Sequence, residues 1–367
     1  MSTTTLFREQ QTLTFDGSAA EKCPIELLDG YQGILSDQRF SWTGHHRLLR
    51  ELGSGGQGVV FLTERRGTDN FTLPVALKVF SPSRYETIRH YEEGMNRIAQ
   101  VAARVAQIQQ DNLLDVHNWL ERNRIRMMEM EWIDGYDLGR LMTKKMFHRT
   151  EARVSRRRWE EIQDVIVTDG PVQPRMKAGV AVAVLRDVLA GLAALHREGI
   201  VHGDIKPSNI MLKRTGNAKL VDIGSAFDVE EPPLERSITP RYAAPEVLDG
   251  GEFSPRSDLA SLGYVLIELL AGRAPIASNL TYAELLQAKR MLPQRLPEIM
   301  PDDVVVNKML MKFCCGLVAP DPERRFPSAE AADLLEEGAA HFLRQLTVTN
   351  LGTEYDNELR LWLEELD

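Results

Sequence analysis

The sequence predicts a two-lobed α+β fold, a small antiparallel β-sheet lobe with one main helix followed by a larger helical lobe. Three observations predict it. From about Arg47, short apolar runs, LLREL, VVFLTE and VALKVF, are broken by Gly and Pro and read as consecutive strands. A long helical pattern follows, then a further strand pair ending in RIRMMEMEWI. Beyond Gly135 helical periodicity dominates to about Leu346, apart from two short strand patterns around IVHGDIKPSNIML and KLVDIG.

The bulk properties agree with a folded chain. At 367 residues, 43% hydrophobic and 26% charged, it can bury a substantial core. Lys and Arg number 44 against 53 Asp and Glu, a net charge of −9, which argues against general nucleic-acid or anionic-membrane binding. The partner expectation is therefore no nucleic acid and no membrane. Cys23, Cys314 and Cys315 cannot build a disulfide framework, and the adjacent pair sits in MLMKFCCGLV, which reads as a buried helix. MSTTTLFREQQTLTFDG lacks the basic start and apolar stretch of a secretory signal. The most apolar segments, AGVAVAVLRDVLAGLAAL and LASLGYVLIELLAG, are read as too short or too interrupted by Arg186, Asp187 and Glu268 to cross a bilayer. A reducing cytoplasm is the expected setting.

Residues 1–43 show no sustained period and read as an N-terminal extension holding a strand or two. The domain proper is expected over 44–346, with an N-lobe at about 44–131, a C-lobe at about 135–346 and a junction near Met130 to Gly135. Within it, about 144–174 looks like an insertion, two helical patterns interrupted by basic and acidic clusters. Residues 347–367 read as a tail ending in an acidic amphipathic helix. In the N-lobe helix, Ile88, Glu92, Met95, Ala99, Ala102 and Ala106 recur at three or four, which places a carboxylate on the expected buried stripe.

Three motifs carry chemistry. Gly53-Ser-Gly55-Gly-Gln-Gly58-Val59 lies between two strand patterns, where glycines let backbone N–H groups approach phosphate oxygens. A strand, not a helix, follows it, against a dinucleotide-binding fold; an ordinary flexible hairpin is the plain alternative. Val75-Ala76-Leu77-Lys78 sets a lysine in an apolar strand, a position tolerated if the ammonium meets a phosphate and a carboxylate. Glu92 is the first choice of partner. Glu93 is the second, since Arg97 and Gln100 mark its face as outward; a surface lysine at a strand edge is the bland reading. The strongest signal is His202-Gly-Asp204-Ile-Lys206-Pro-Ser-Asn209, followed by Asp222-Ile-Gly224. Phosphoryl transfer needs a carboxylate to orient a hydroxyl, cations to neutralise phosphate, and oxygen ligands for Mg²⁺. Asp204, Lys206, Asn209 and Asp222 supply these.

Together these motifs resemble the eukaryotic-like (Hanks-type) serine/threonine protein kinases of the bacterial type. The resemblance implies the bilobal protein-kinase-like fold and an ATP-dependent, Mg²⁺-dependent transferase that phosphorylates Ser or Thr of protein substrates in signalling. It implies that Gly53, Gly55, Gly58 and Val59 cover the nucleotide, that Ala76 belongs to its site, and that Lys78, paired by Glu92, touches the α and β phosphates. By the same likeness Glu131 and Ile133 offer backbone groups to adenine and Asp137 reaches a ribose hydroxyl. Asp204 is then the catalytic base, Lys206 the γ-phosphate contact, and Asn209 and Asp222 the metal ligands. Thr239-Pro-Arg-Tyr-Ala-Ala244-Pro245-Glu246 is similar to the substrate-facing loop and its closing segment. Asp258 is similar to the family's buried helix-start aspartate, and Arg325 to the partner of Glu246. Self-association for autophosphorylation is a further partner the resemblance implies.

Two departures stand out. Gly203 replaces the arginine that many such enzymes carry before the catalytic aspartate, a non-RD loop, and Ile223 stands where phenylalanine is usual. Two alternatives remain: a catalytically inactive pseudokinase scaffold, and a small-molecule phosphotransferase, which shares HGD but generally lacks the Lys206-, Glu246- and Asp258-like positions. Arg156-Arg157-Arg158 reads as a solvated face, and His45-His46 as a surface pair without metal-ligand spacing.

Overall fold

The computed structural model describes residues 13–15, 25–36, 39–40, 45–233, 236–348 and 355–366. Cys23 lies outside the described residues, as do the side chains of His45, His46 and Ser237. Ahead of the N-lobe come β1 (Leu13–Phe15) and α1 (Ile25–Ser36). The N-lobe is built from β2 (Arg39–Phe40), β3 (His45–Gly55), β4 (Gly58–Arg66), β5 (Thr72–Phe80), α2 (Ile88–Val105), β6 (Val116–Arg122) and β7 (Ile125–Glu131). Its strands form one six-stranded antiparallel sheet in the order β2-β3-β4-β5-β7-β6. β5 lies inside that sheet, and its second half, from Val75 to Phe80, is buried throughout. That is why a β-branched and apolar run forms there, and why Lys78 needs partners.

The α1 helix was not legible as a helix. Leu27, Tyr31 and Ile34, at i, i+4 and i+7, are buried, and Gly30 sits where a Cβ would come 3.3 Å from the Asn123 carbonyl in the β6–β7 turn. The period exists but spans only two turns. β1 pairs antiparallel with the segment after the Asp222 motif, aligning Leu13 with Ile238 and Phe15 with Arg236.

After the junction come β8 (Gly135–Asp137), α3 (Leu138–Leu141), α4 (Lys144–Arg153), α5 (Arg156–Val165), β9 (Val167–Thr168) and β10 (Arg175–Met176). The core of the C-lobe then begins with α6 (Ala178–Arg197), β11 (Ile200–Val201), β12 (Ile210–Lys213), β13 (Ala218–Leu220), β14 (Phe227–Asp228) and β15 (Arg236–Ile238). Helices complete it: α7 (Pro245–Leu248), α8 (Pro255–Ala271), α9 (Tyr282–Ile299), α10 (Asp302–Val305), α11 (Lys308–Leu317), α12 (Ala329–Leu334), α13 (Ala339–Val348) and α14 (Tyr355–Glu365). Contrary to the sequence expectation, α6 is by length and composition long and apolar enough to cross a membrane. Here its apolar surface is spent on the core, with Val180, Leu185, Leu189 and Leu192 buried. α8 begins with a reciprocal Ser254–Ser257 cap and ends at Gly272, whose φ of +63° closes the helix in the left-handed region. The two cysteines of α11 are free, Cys314 buried and Cys315 half-buried.

The insertion and the tail meet. Trp362 of α14 is buried and its indole N–H donates to Thr150 Oγ1 of α4 at 3.2 Å. Arg158 of α5 donates to Glu358 and Glu365 of α14 at 3.2 and 2.9 Å. The arginine run is therefore a solvated face only at Arg156 and Arg157, which pair with Glu160 and Glu161 one turn on. Arg158 points inward because consecutive helical residues lie about 100° apart. Removing Trp362 leaves a large cavity under this joint, so Trp362→Ala should cost about 3–5 kcal/mol. In limited proteolysis the variant is expected to be cut first at α4, α5 or the tail, and an unchanged cleavage pattern would count against this joint.

Candidate active site

β11 delivers the chain into the His202–Asn209 loop, and a buried carboxylate fixes the loop's shape. Asp258, in the first turn of α8, accepts the backbone N–H of His202 and of Gly203, both at 2.9 Å, and the Nε2–H of His196 at 2.9 Å. His202 donates from Nε2 to the Val221 carbonyl at 3.1 Å and accepts the Asp204 N–H at Nδ1, so its neutral tautomer is set from both sides. Gly203 has φ +75°, a left-handed backbone that an arginine would occupy only under strain. The loop thus turns Asp204 inward, where it is 5% exposed.

Asp204 is surrounded by donors. Lys206 Nζ lies 2.7 Å from its Oδ2, Thr239 Oγ1 donates to its Oδ1 at 2.6 Å, and Lys206 also reaches Thr239 at 3.3 Å. Asn209 donates through Nδ2 to the Asp204 carbonyl oxygen at 2.8 Å. With its nitrogen so committed, the Asn209 side chain presents an oxygen acceptor, and the residue lines the interlobe cleft beside Asp222.

Asp222 adopts a left-handed backbone, φ +64°, and its side chain accepts the Gly224 N–H at 3.1 Å. Lys78 of β5, 4% exposed, forms an ion pair with Asp222 Oδ1 across the cleft. Burial pushes the Asp222 carboxyl up, but the Lys78 ammonium, with help from Lys206, outweighs it and holds the group at about 2. It is therefore ionised throughout the neutral range. Its carboxylate and the Asn209 amide oxygen form a hard-oxygen pair that suits a divalent cation completed by water and phosphate. Among the described residues no cluster of three or more His, Cys, Asp or Glu could hold a metal alone.

Lys78 has a different second partner from the one expected. Glu92 is directed to Arg124 at 2.6 Å and Glu93 to Arg89 at 2.8 Å, both at the surface. The buried stripe of α2 runs through Tyr91, Gly94, Met95, Ile98, Val101, Ala102 and Val105, displaced from the sequence-derived one. Large apolar residues set the orientation and the alanines do not, so Glu92 faces away. In its place Gln57 Oε1 accepts from Lys78 Nζ at 2.8 Å.

The cleft above this cluster has a volume of about 740 Å³ and is lined by Leu52, Gly53, Val60, Ala76, Lys78, Met130, Glu131, Ile133, Asp137, Met211 and Asp222, among others. Gly55, Gly58 and Val59 do not line it. Strand alternation turns Val60, opposite Lys78 on β5, toward the cavity, so the apolar cover comes one residue later than expected. Gly58 acts on the backbone instead, since with φ +142° it packs so tightly on the Val79 carbonyl that a Cβ would collide there. Glu131 spends its backbone N–H on the Asp115 carbonyl at 3.0 Å and its carboxylate on Lys219, which leaves that N–H unavailable to a base. Asp137 caps α3 through the Arg140 N–H at 2.9 Å, and burial raises its carboxyl above the ordinary range. Val60, Met211 and Gln57 were missed; two-residue alternation would have found Val60, and the IMLK strand after Asn209 would have found Met211.

Farther out, Arg325 forms a two-pronged pair with Glu246, both bonds at 2.7 Å, and Ser257 donates to the same carboxylate at 2.9 Å. This fixes the end of the Thr239–Glu246 loop to α8.

A two-lobed fold, a glycine hairpin, a lysine–aspartate bridge and a buried aspartate–lysine–asparagine loop together define the class of architecture. Residues 46–336 match the protein kinase domain family, and the chain belongs to it. It is 30% identical over 326 residues to serine/threonine-protein kinase PknD of Mycobacterium tuberculosis, covering 86% of this chain and 42% of that protein. It is 32% identical over 256 residues to PknL of the same organism, covering 68% and 54%. PrkC of Bacillus subtilis is 27% identical over 300 residues, covering 78% and 39%. The chain thus spans about half or less of the length of these relatives. The crystal structure of the Mycobacterium tuberculosis PknI kinase domain shares the fold, with a TM-score of 0.55, 22% identity and coverage of 84% of this chain and 98% of that one.

Glu92 pairs only at the surface, where such bridges are worth about 0–1 kcal/mol, whereas a hydrogen bond to a charged group is worth about 1.5–3 kcal/mol. Lys78→Met should therefore weaken Mg-ATP binding about tenfold or more and Glu92→Ala should leave it unchanged, as read by calorimetric titration. Equal losses in both variants would restore Glu92 to the site.

Proposed function

We propose that the chain is an ATP-dependent serine/threonine protein kinase that transfers the γ-phosphoryl group to a protein hydroxyl. One observation carries the reading: Lys78, Asn209 and Asp222 line one cleft, and Asp204 and Lys206, buried and bonded to each other, are tied to it through the Asn209 amide. Adenine is suited to the Leu52, Val60, Ala76 and Met211 walls, and the phosphates to the end where Lys78 and Asp222 sit.

In this reading Asn209 and Asp222 would hold Mg²⁺, which would supply charge neutralisation at the phosphates. Asp204, buried and held by Lys206, Thr239 and Asn209, accepts a hydrogen bond from the acceptor hydroxyl and takes its proton as that oxygen bonds to the γ-phosphorus and the bond to the β-phosphate oxygen breaks, releasing ADP. Lys206 neutralises charge on the transferred group. The Thr239–Glu246 loop, fixed by Arg325, provides the face along which a protein acceptor approaches. Support for a protein acceptor comes from this loop and from the relatives, which are named as serine/threonine-protein kinases. Free thiols in α11 suit a cytoplasmic setting.

One observation favours a second reading, a nucleotide-binding scaffold without transfer: no carboxylate of α2 orients Lys78. Phosphate incorporation from labelled Mg-ATP into a basic acceptor protein separates the two. The kinase reading expects incorporation that Asp204→Ala reduces about 10²- to 10⁴-fold. Nucleotide binding with no incorporation would establish the scaffold, and phosphate appearing only on small sugars or amines would place the chain with small-molecule phosphotransferases. Because Gly203 offers no guanidinium to grip a loop phosphate, Ser237→Ala is expected to retain activity in the same assay. Abolished activity with intact ATP binding would refute that independence.

A further inference from the structure

We propose that Gln57, in the glycine hairpin, is the positioning residue for Lys78, replacing a helix carboxylate; the inference rests on the nucleotide-binding part of the reading above. α2 offers Lys78 nothing. Glu92 and Glu93 are held by Arg124 and Arg89, and the next residue, on the buried face, is Gly94. A Cβ at Gly94 would lie 2.6 Å from the Tyr85 ring and 2.9 Å from its hydroxyl, so the space a side chain would need is already filled.

Gln57 is built into place. Its carbonyl accepts the Ser81 N–H at 2.9 Å, and Gly58, pressed on Val79, fixes the backbone on its other side. An ammonium can only donate, so the amide must turn Oε1 to Lys78 at 2.8 Å; its Nε2 then donates to Ser225 Oγ at 2.7 Å. Gly224 leaves room for this bridge: a Cβ there would collide with Gln57 Oε1 and stand 2.8 Å from Lys78 Nζ. The second oxygen on Lys78 belongs to Asp222, the carboxylate a divalent cation would also claim. With a cation on Asp222, Gln57 would be the remaining side-chain oxygen on the ammonium among the described residues. Lys78 is thereby coupled to the hairpin and to Ser225.

The test is a Mg-ATP titration of the full chain with a fluorescent ATP analogue, run beside turnover and thermal unfolding. Gln57→Ala is expected to raise Kd about tenfold or more, the loss of a hydrogen bond to a charged group. Gln57→Glu, which can accept from both Lys78 and Ser225, should bring Kd back to near the natural value. Ser225→Ala should raise Kd less, and the Gln57→Ala/Ser225→Ala pair should be no worse than Gln57→Ala alone. An unchanged Kd in Gln57→Ala, a loss that Gln57→Glu does not recover, or additive losses in the pair would overturn the proposal. Absent phosphate transfer by the natural chain would instead strike the kinase reading, while the Kd series still decides the role of Gln57.

Discussion

The ion pair between Lys78 and Asp222 is the constraint around which the rest of the molecule is arranged. A lysine on a buried strand is costly to desolvate, and only a close, well-oriented anion makes the position tolerable. That anion comes from the other lobe, so the pair joins the N-lobe sheet to the C-lobe across the cleft. Its effect on Asp222 is equally large: burial alone would favour the protonated acid, and the ammonium reverses the balance. A carboxylate held at about 2 is ionised at any neutral pH.

Behind this pair stands a second buried carboxylate whose role is purely structural. Asp258 satisfies two backbone N–H groups of the loop that carries Asp204, and does so from the first turn of a helix capped by Ser254 and Ser257. The same helix receives the Glu246–Arg325 pair through Ser257 and the Arg256 carbonyl. One helix thus positions both the Asp204 loop and the end of the Thr239–Glu246 loop. The geometry fits the general requirement that reacting groups sit on supports that do not relax when substrate arrives.

Much of this was legible in the sequence because dense polar spacing survives any uncertainty about local structure. Asp204, Lys206, Asn209 and Asp222 had to lie near one another once a short hairpin was recognised between them, and β12 and β13 provide it. Positions set by phase were less legible. Counting alanines as core rotated the α2 stripe and brought Glu92 inside, whereas Tyr91, Met95, Ile98 and Val101 carry the real buried face. The expected cover, Val59, is one residue out of strand phase, since Val60, opposite Lys78, lines the cleft. α1 escaped notice because two turns of Leu27, Tyr31 and Ile34 lie between segments without any period. The Gln57 contact could not be read at all, since it depends on the hairpin reaching Ser225, 168 positions further along the chain.

The most direct test of the central idea is calorimetry of ATP binding with and without Mg²⁺, on the natural chain and on Asp222→Asn. A cleft in which a lysine and an ionised aspartate share a hydrated cation and a triphosphate should bind ATP markedly more tightly with Mg²⁺, and lose that gain in Asp222→Asn. Binding of equal strength with and without the cation, or a gain that survives the substitution, would contradict it.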